Sequence, residues 1–261
     1  MAGNSIFEVL VLIGRPAAGK SEILEHLKNT KLSERIKKYH IGEMDVIDDF
    51  PMLWTWLEED EILSESFEKP RLHTDDKGYF KYLYQWNLLI ERIGLDYQKR
   101  IRDDRDYHRH TTTIVEFSRG SEHGGYSQAF EHLTSEIVAR AGMVYVQVSF
   151  EESLRKNRRR FNPQRPDSIL EHGLQDEKIR RLYHDDDWLA LIENSPDYIN
   201  LNGRMGPYTV LENEDDVTTR GGDLLSRRLV DTLDRLWGLS NSDNSTADEE
   251  LNCDSEQGVD V

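Results

Sequence analysis

The residues from Gly14 to Ser21, "GRPAAGKS", have the types and spacing of a loop that binds phosphate. They fit the pattern Gly-x-x-x-x-Gly-Lys-Ser/Thr, in which glycines let backbone N–H groups turn toward an anion. In such loops the lysine, here Lys20, contacts the β- and γ-phosphates, and the hydroxyl, here of Ser21, ligates Mg²⁺. An apolar run at residues 6–13 precedes the loop, and a helix is predicted from Ser21 to about Lys28. The stretch therefore predicts a site for a nucleoside triphosphate at a helix N-terminus.

A second candidate group follows the apolar run at residues 112–117, in the stretch "TTTIVEFSRGSEHGG". Side chains just past a strand project into the ligand crevice of an open α/β sheet. Glu116 there could orient Mg²⁺ through water or take a proton from an acceptor hydroxyl, and Arg119 could grip a phosphate. The alternative is an exposed turn with ordinary surface charges.

A third group is the basic run "RKNRRR", which carries Arg155, Arg158, Arg159 and Arg160, with Arg165 soon after. The first three are spaced to lie on one face of a helix. In an acidic chain such a cluster is the local positive patch that a triphosphate requires. The alternative is a solvated helix face whose arginines pair with neighbouring carboxylates.

Composition narrows the function classes. The chain has 261 residues and a formal net charge of −17, which argues against binding to a nucleic acid polymer. Its single cysteine, Cys253, excludes a disulfide framework and favours a reducing compartment, so we expect a cytoplasmic protein. The N-terminal apolar run is too short for a membrane span or a signal peptide, so no membrane association is expected. The oligomeric state stays open.

Apolar runs rich in β-branched residues alternate with segments of helical period, which predicts an α/β fold with a mostly parallel sheet and helices on both faces. Strands are predicted at 6–13, 112–117, 143–150 and 208–212, with a weaker fifth at 37–42. Helices are predicted at about 21–28, 80–102, 127–140, 151–160, 176–192 and 224–237. The segment 45–77 is acidic and aromatic, which suits either a substrate-covering insertion or an ordinary helical excursion. The acidic segment 239–261 is predicted to be a disordered tail.

Taken together, these motifs resemble the nucleoside and nucleotide kinase group of P-loop proteins. "VEFSRG" is similar to the acid-and-arginine segments of adenylate kinases and deoxynucleoside kinases, and "RKNRRR" resembles their arginine-rich lid. The stretch "GPYTVLENEDDVTTRGGDLLSRRLVDTL" resembles their last strand, base-contacting loop and closing helix, which would place Asn213 near the adenine. "HIGEMD" resembles the start of their acceptor-binding region, which would turn Glu43 and Asp45 toward the acceptor.

The resemblance implies a three-layer P-loop fold with a five-stranded sheet over residues 1–238, an acceptor-covering helical region at about 45–105 and a lid at about 151–195. It implies transfer of the γ-phosphoryl group of Mg-ATP to a nucleoside, nucleotide or similar small molecule. A kinase of a sugar or cofactor precursor, or a nucleotide-dependent regulatory ATPase, is the alternative. Glu116, Asp45 and Glu43 are candidate bases, and Ser21 and Glu116 are the candidate metal ligands. The catalytic residues predicted are Lys20, Glu116, Arg119, Asp45, Arg155 and Arg159. The nucleotide-binding residues predicted are Gly14, Arg15, Pro16, Ala17, Ala18, Gly19, Lys20, Ser21, Glu22 and Asn213.

Overall fold

The computed structural model describes residues 5–160 and 174–253, with side chains described as far as residue 242. The strands are β1 (Val9–Gly14), β2 (Glu43–Asp48), β3 (Thr111–Phe117), β4 (Ala141–Gln147), β5 (Tyr198–Leu201) and β6 (Arg204–Glu212). The helices are α1 (Lys20–Asn29), α2 (Leu32–Tyr39), α3 (Phe50–Ser66), α4 (Tyr84–Asp103), α5 (Gly125–Glu131), α6 (Ser135–Val138), α7 (Phe150–Arg160), α8 (Asp176–Tyr183), α9 (Trp188–Ile192), α10 (Val217–Arg220) and α11 (Gly222–Cys253).

These strands form one sheet in the order β2-β3-β1-β4-β6-β5, in which only β5 runs antiparallel, against β6. The predicted α/β class with a mostly parallel sheet is therefore confirmed. The described residues supply six strands rather than the predicted five. The additional strand, β5, joins β6 through Asn202 and Gly203, which both have positive φ and so fit a tight hairpin turn.

The strand predicted at residues 37–42 is wrong in position. Helix α2 continues to Tyr39, and His40 then takes a left-handed conformation at φ 56° that ends the helix. Strand β2 begins only at Glu43, where its backbone N–H donates to the carbonyl of His110. The helix predicted at 127–140 is divided into α5 and α6, and the helix predicted at 176–192 is divided into α8 and α9.

Side chains of the central strand β1 alternate between two hydrophobic cores on opposite faces of the sheet. Val9, Val11 and Ile13 pack with α4, α5, α6 and α9 on one face. Leu10 and Leu12 pack with α1, α2, α10 and α11 on the other. Because both faces are covered, β1 is an uninterrupted apolar run, and its carboxyl end is held rigidly where it enters the loop at Gly14.

Helix α3 lies in the segment 45–77, for which the sequence left two interpretations open. Its residue Asp60 holds the chain that follows the helix. Asp60 is fully buried, and its carboxylate accepts hydrogen bonds from the backbone N–H groups of Leu72, His73 and Thr74. The hydroxyl of Thr74 donates a fourth, at 2.7 Å. These bonds fold residues 67–83 back over α3, so that Tyr79 reaches the interior.

The last helix, α11, runs from Gly222 to Cys253 and so enters the segment predicted to be a disordered tail from residue 239. Residues 254–261 lie outside the described part of the chain. Whether the tail is dispensable for folding and activity stays a prediction. Among the described helices, none has both the length and the apolar composition needed to cross a bilayer.

Replacing Asp60 with Asn is expected to lower the free energy of unfolding by about 2 kcal/mol, because an amide N–H₂ would face several donors. Burial alone would raise the pKa of Asp60, but hydrogen bonds from Thr74, His73 and Leu72 outweigh it and lower the pKa. The stabilisation is therefore present above the pKa of the unfolded carboxyl and disappears as the pH falls through the lower folded value. Urea unfolding of D60N and of the exposed control D76N at neutral and acidic pH measures both effects. Equal stability of D60N and wild type at neutral pH would contradict this role.

Candidate functional site

The loop between β1 and α1 turns sharply before the helix begins. Ala17 and Gly19 have φ angles of 57° and 114°, which turn the backbone inward. A Cβ atom on Gly19 would lie 2.4 Å from the hydroxyl oxygen of Thr218, so only glycine fits there. Helix α1 begins at Lys20 without a side-chain cap, which leaves its N-terminal N–H groups and dipole available to an anion. The loop thus has the geometry of a phosphate cradle.

The side chain of Lys20 is buried at the carboxyl edge of the sheet. Its Nζ donates to the hydroxyl of Ser118 at 2.7 Å and to the carbonyl of Gly14 at 3.2 Å, and lies 3.9 Å from Oε1 of Glu116. Burial lowers the pKa of Lys20, while the charges of Glu116 and Asp48 act in the opposite direction. A negative phosphate in the loop would therefore find an ammonium group that is already positioned and poorly solvated.

Three carboxylates surround this ammonium group. Asp48 ends β2 directly opposite Glu116 on β3, and Asp49 follows at once. Burial, with the nearby charges of Asp49 and Glu116, raises the pKa of Asp48 to about 8. Burial also raises the pKa of Glu116, although Lys20 opposes the shift. Asp48, which the sequence interpretation did not include, is thus the carboxylate best placed to exchange a proton near neutral pH.

In the described part of the chain, no three His, Cys, Asp or Glu side chains form a set that could hold a metal ion. The candidate metal ligands Ser21 and Glu116 nevertheless both line the cleft beside Lys20. An oxygen-only donor set of this kind, completed by phosphate oxygens and water, suits Mg²⁺. The residues present therefore fit the ion in the way that nucleotide sites use it.

Arg119 lies at the base of the site and is 1% exposed. Its guanidinium pairs with Oδ2 of Asp49 at 2.5 Å and donates to the carbonyl of Trp86 at 3.0 Å. The rings of Trp86 and Phe117 lie 5.4 Å from it on either side. This predicted residue therefore links β3 to the start of α3 and to α4, as well as facing the cleft.

A cleft of about 760 Å³ opens from the phosphate loop and extends beneath α3, α4 and α8. Lys20, Ser21, Asp48, Glu116 and Arg119 line its inner end. The remaining wall includes leucines, acidic residues and a set of aromatic and cationic side chains, among them Phe50, Tyr79, Phe80, Tyr82, Trp86, Tyr183, Arg160, Lys178 and Arg181. The region predicted to cover an acceptor thus contributes aromatic side chains to the same space that contains the phosphate loop.

The other predicted acidic side chains lie elsewhere. Asp45 lies within β2, where its Oδ2 accepts hydrogen bonds from Nε of Arg100 at 2.6 Å and from the hydroxyl of Tyr107 at 2.7 Å. Neither Asp45 nor the exposed Glu43 lines the cleft. Asp45 lies three positions before the strand end, whereas Asp48, at the end itself, faces the ligand side. Asp48, and not Asp45, is therefore the β2 carboxylate that lines the cleft.

The arginines of α7 divide into two groups. Arg155 pairs with Glu152 and Asp216, and Arg159 lies 3.7 Å from Asp216, so neither faces the cleft. Arg160 lines the cleft and pairs with Glu22 of α1. Arg155 and Arg159 thus fit the interpretation of a solvated helix face whose arginines pair with carboxylates. Arg160, in contrast, faces the cleft. Arg165 lies outside the described residues.

Asn213 supports the phosphate loop from behind. It is fully buried, and its Nδ2 donates to the carbonyl of Ala18 at 2.7 Å and to the hydroxyl of Thr218 at 2.8 Å. Its Oδ1 accepts from the backbone N–H of Thr218. The amide is therefore committed to loop contacts, and it does not lie on a surface that an adenine could approach. Arg15 acts similarly from the other side, through an ion pair with Asp186 at 2.8 Å.

Comparison with known proteins identifies remote structural likenesses only. No protein-family model and no curated protein sequence matches the chain. Among solved structures, a shikimate kinase from Acinetobacter baumannii in complex with shikimate is 14% identical, with 91% of this chain and 96% of that chain covered and a TM-score of 0.42. An unliganded sugar kinase from Janibacter sp. HTCC2649 is 11% identical, with 89% and 98% covered and a TM-score of 0.35. Scores at this level carry no argument about activity, so any function rests on the site geometry described above.

Proposed function

We propose that this chain is a Mg²⁺-dependent phosphotransferase, which moves the γ-phosphoryl group of ATP to a small molecule bound in the cleft. The observation that carries the proposal is that Lys20 and the phosphate loop form one end of a cleft large enough for a second substrate. A purely regulatory ATPase would need no such cleft next to the γ-phosphate position. The two substrates would meet at the carboxyl edge of the sheet.

At the donor end, backbone N–H groups of residues 14–21 hold the phosphates of ATP, and Lys20 neutralises the β- and γ-phosphates. Mg²⁺ held by Ser21, with Glu116 acting through water, would screen the charge of the phosphate oxygens. Arg160, which faces the cleft from α7, is positioned to approach the transferring group once it leaves Glu22. Exclusion of water by the cleft walls would limit hydrolysis of ATP.

At the acceptor end, Asp48 takes the proton of the attacking hydroxyl. With the pKa of Asp48 raised to about 8, about a tenth of the carboxyl is ionised at pH 7, and this form is basic enough to accept a proton. Arg119, fixed by Asp49, supplies positive charge at the base of the cleft. Asp48 and Lys20 would thus provide the base and the electrostatic stabilisation at the same carboxyl edge of the sheet.

The acceptor class favoured by the cleft is a nucleoside or nucleotide. Phe80 packs against Trp86 at a centroid distance of 4.7 Å, and Tyr79 lies under Arg181 at 4.1 Å, so aromatic side chains form part of the wall. Planar rings stack well on aromatic faces. A sugar or cofactor precursor remains the alternative acceptor, since Lys178 and Arg181 also suit an anionic metabolite.

Two further proposals rest on the sequence. We propose that residues 1–238 form one catalytic domain with the tail outside it. We also propose a cytoplasmic location, which the single cysteine and the requirement for ATP support.

Lys20→Ala is expected to weaken binding of Mg-ATP at least about tenfold and to lower phosphoryl transfer by about a thousandfold, because the loop loses its only side-chain cation toward the phosphates. Calorimetric titration with a non-hydrolysable ATP analogue and an ADP-release assay measure the two effects. Lys28→Ala, on the exposed face of the same helix, is the matched control and should behave as wild type. Undiminished nucleotide binding by K20A would contradict the phosphate-loop assignment.

Asp48→Asn is expected to lower kcat by about a hundredfold or more while leaving ATP affinity within a few-fold of wild type. The ionised carboxylate is the active form, so kcat/KM should rise with pH as Asp48 loses its proton. The apparent pKa in the free protein lies near 8, well above that of an ordinary carboxyl, because of burial and the neighbouring acids. D48N should flatten this rise, and Asp45→Asn should retain it. A profile that is unchanged in D48N but lost in D45N would restore Asp45 as the base.

Asn213→Ala is expected to weaken ATP-analogue binding about tenfold, because the carbonyl of Ala18 loses its buried donor and the loop loosens. Acceptor affinity should stay unchanged. Asn241→Ala, which removes an exposed amide contact within α11, serves as the control in the same titration. If N213A bound the analogue as tightly as N241A, the positioning role of Asn213 would be excluded.

A further inference from the structure

Two buried N–H groups beside Trp86 have no hydrogen-bond acceptor among the described residues. They are Nε of Arg119 and Nε2 of His123. Each residue is 1% exposed, and each lines the cleft. A buried donor without an acceptor costs free energy, so unpartnered donors in a ligand cleft indicate where a ligand supplies the acceptor atom. The other guanidinium nitrogens of Arg119 are already occupied by Asp49, Ser118 and Trp86.

The proton on His123 is fixed by its surroundings. The backbone N–H of Gly120 donates to Nδ1 of His123 at 3.1 Å, so Nδ1 carries no proton. Burial and the neighbouring Arg119 cation hold the pKa of His123 well below its usual range, which keeps the ring neutral at pH 7. The single ring proton therefore lies on Nε2, and His123 offers the ligand a neutral donor.

Aromatic packing holds both donors in place. The His123 ring stacks on Trp86 with centroids 3.8 Å apart, and Tyr183 packs edge-on against it at 4.8 Å. The Arg119 guanidinium lies 5.4 Å from the Trp86 centroid. Both donors thus lie beside Trp86 at one part of the cleft lining, where an oxygen substituent on a bound ring can meet the two N–H groups.

Building on the proposed phosphotransferase function, we propose that the acceptor contains a planar ring with an exocyclic oxo group, and that His123 and Arg119 donate hydrogen bonds to this oxygen. An oxo oxygen has two lone pairs and can accept from both donors. An amino group in the same position would bring N–H against N–H and leave all the donors unpaired. The site therefore selects oxo-substituted rings over their amino counterparts.

Two matched nucleoside pairs test this selection. Inosine and adenosine, like uridine and cytidine, differ by oxo against amino at one ring position and by a protonated against an unprotonated ring nitrogen beside it. Each is titrated by calorimetry into the full chain with Mg²⁺ and a non-hydrolysable ATP analogue. In at least one pair the oxo member should bind at least about tenfold more tightly than its amino partner. Its addition should also shift the NMR signal of the Nε2 proton of His123, which should be present in the free protein.

His123→Phe keeps a ring against Trp86 and removes the donor, so the oxo preference should fall to within about threefold of unity. His132→Phe is the matched control, because His132 is partly exposed, pairs with Glu91 and lies outside the cleft lining. Thermal melting checks that each variant folds, and the NMR measurement on wild type decides the matter if H123F does not. Equal affinities within both pairs, preference for the amino members, no binding of any of the four, or a proton on Nδ1 would each overturn the inference. None of these results tests the phosphotransferase proposal, which the Lys20 experiment tests separately. If the Lys20 experiment failed, the nucleoside preference measured here would still stand.

Discussion

The buried ammonium group of Lys20 at the carboxyl edge of the sheet is the constraint on which the site depends. A lysine taken out of water must be compensated, and here Glu116 at 3.9 Å and the nearby Asp48 only partly compensate it, because burial raises the pKa of both acids. Two groups of the site can therefore respond to a ligand. The Lys20 ammonium group is stabilised by a bound phosphate, and the Asp48 carboxylate can accept a proton. Both properties follow because the carboxyl ends of β2 and β3 lie beside the start of α1.

The pair formed by Arg119 and Asp49 joins this charged edge to the aromatic cleft. Asp49 immediately precedes α3 and follows Asp48, while Arg119 follows β3 by two residues and contacts the carbonyl of Trp86 on α4. The start of α3, the cleft wall at Trp86 and the end of β3 are therefore held together by one buried ion pair and its neighbouring hydrogen bond.

Sequence reasoning reached the parts of the molecule that obey local rules. The phosphate loop, the parallel sheet, and the positions of Glu116 at the end of β3 and of Arg119 just after it follow from motif and apolar pattern. The structure places these residues around one cleft. The Asn202-Gly203 dipeptide is typical of a hairpin turn and indicates β5, which was not among the predicted strands. The predicted position of the second strand differs from the observed one because the sequence of β2, "EMDVID", mixes acids with apolar residues. Such a mixture is expected for a strand at the edge of the sheet.

Tertiary contacts decided the rest. The choice of Asp48 over Asp45 depends on where β2 ends and on Arg100 and Tyr107, which are distant in sequence. Asn213 resembled a residue of a base-contacting loop, yet its contact with Ala18 spans most of the chain and could not be read from spacing. His123 gave no sequence signal at all, since its significance lies in the stacked Trp86 and the donor at Gly120.

The central claim is that the phosphate loop and the cleft form one phosphoryl-transfer site. Its most direct test is mass spectrometry of wild-type protein incubated with Mg-ATP and separate pools of nucleosides, nucleoside monophosphates and sugars. The account predicts that one pool yields a product heavier by a single phosphoryl group, in amounts equal to the ADP formed, with the nucleoside and nucleotide pools as the expected source. ADP release without a phosphorylated product from any pool would contradict it.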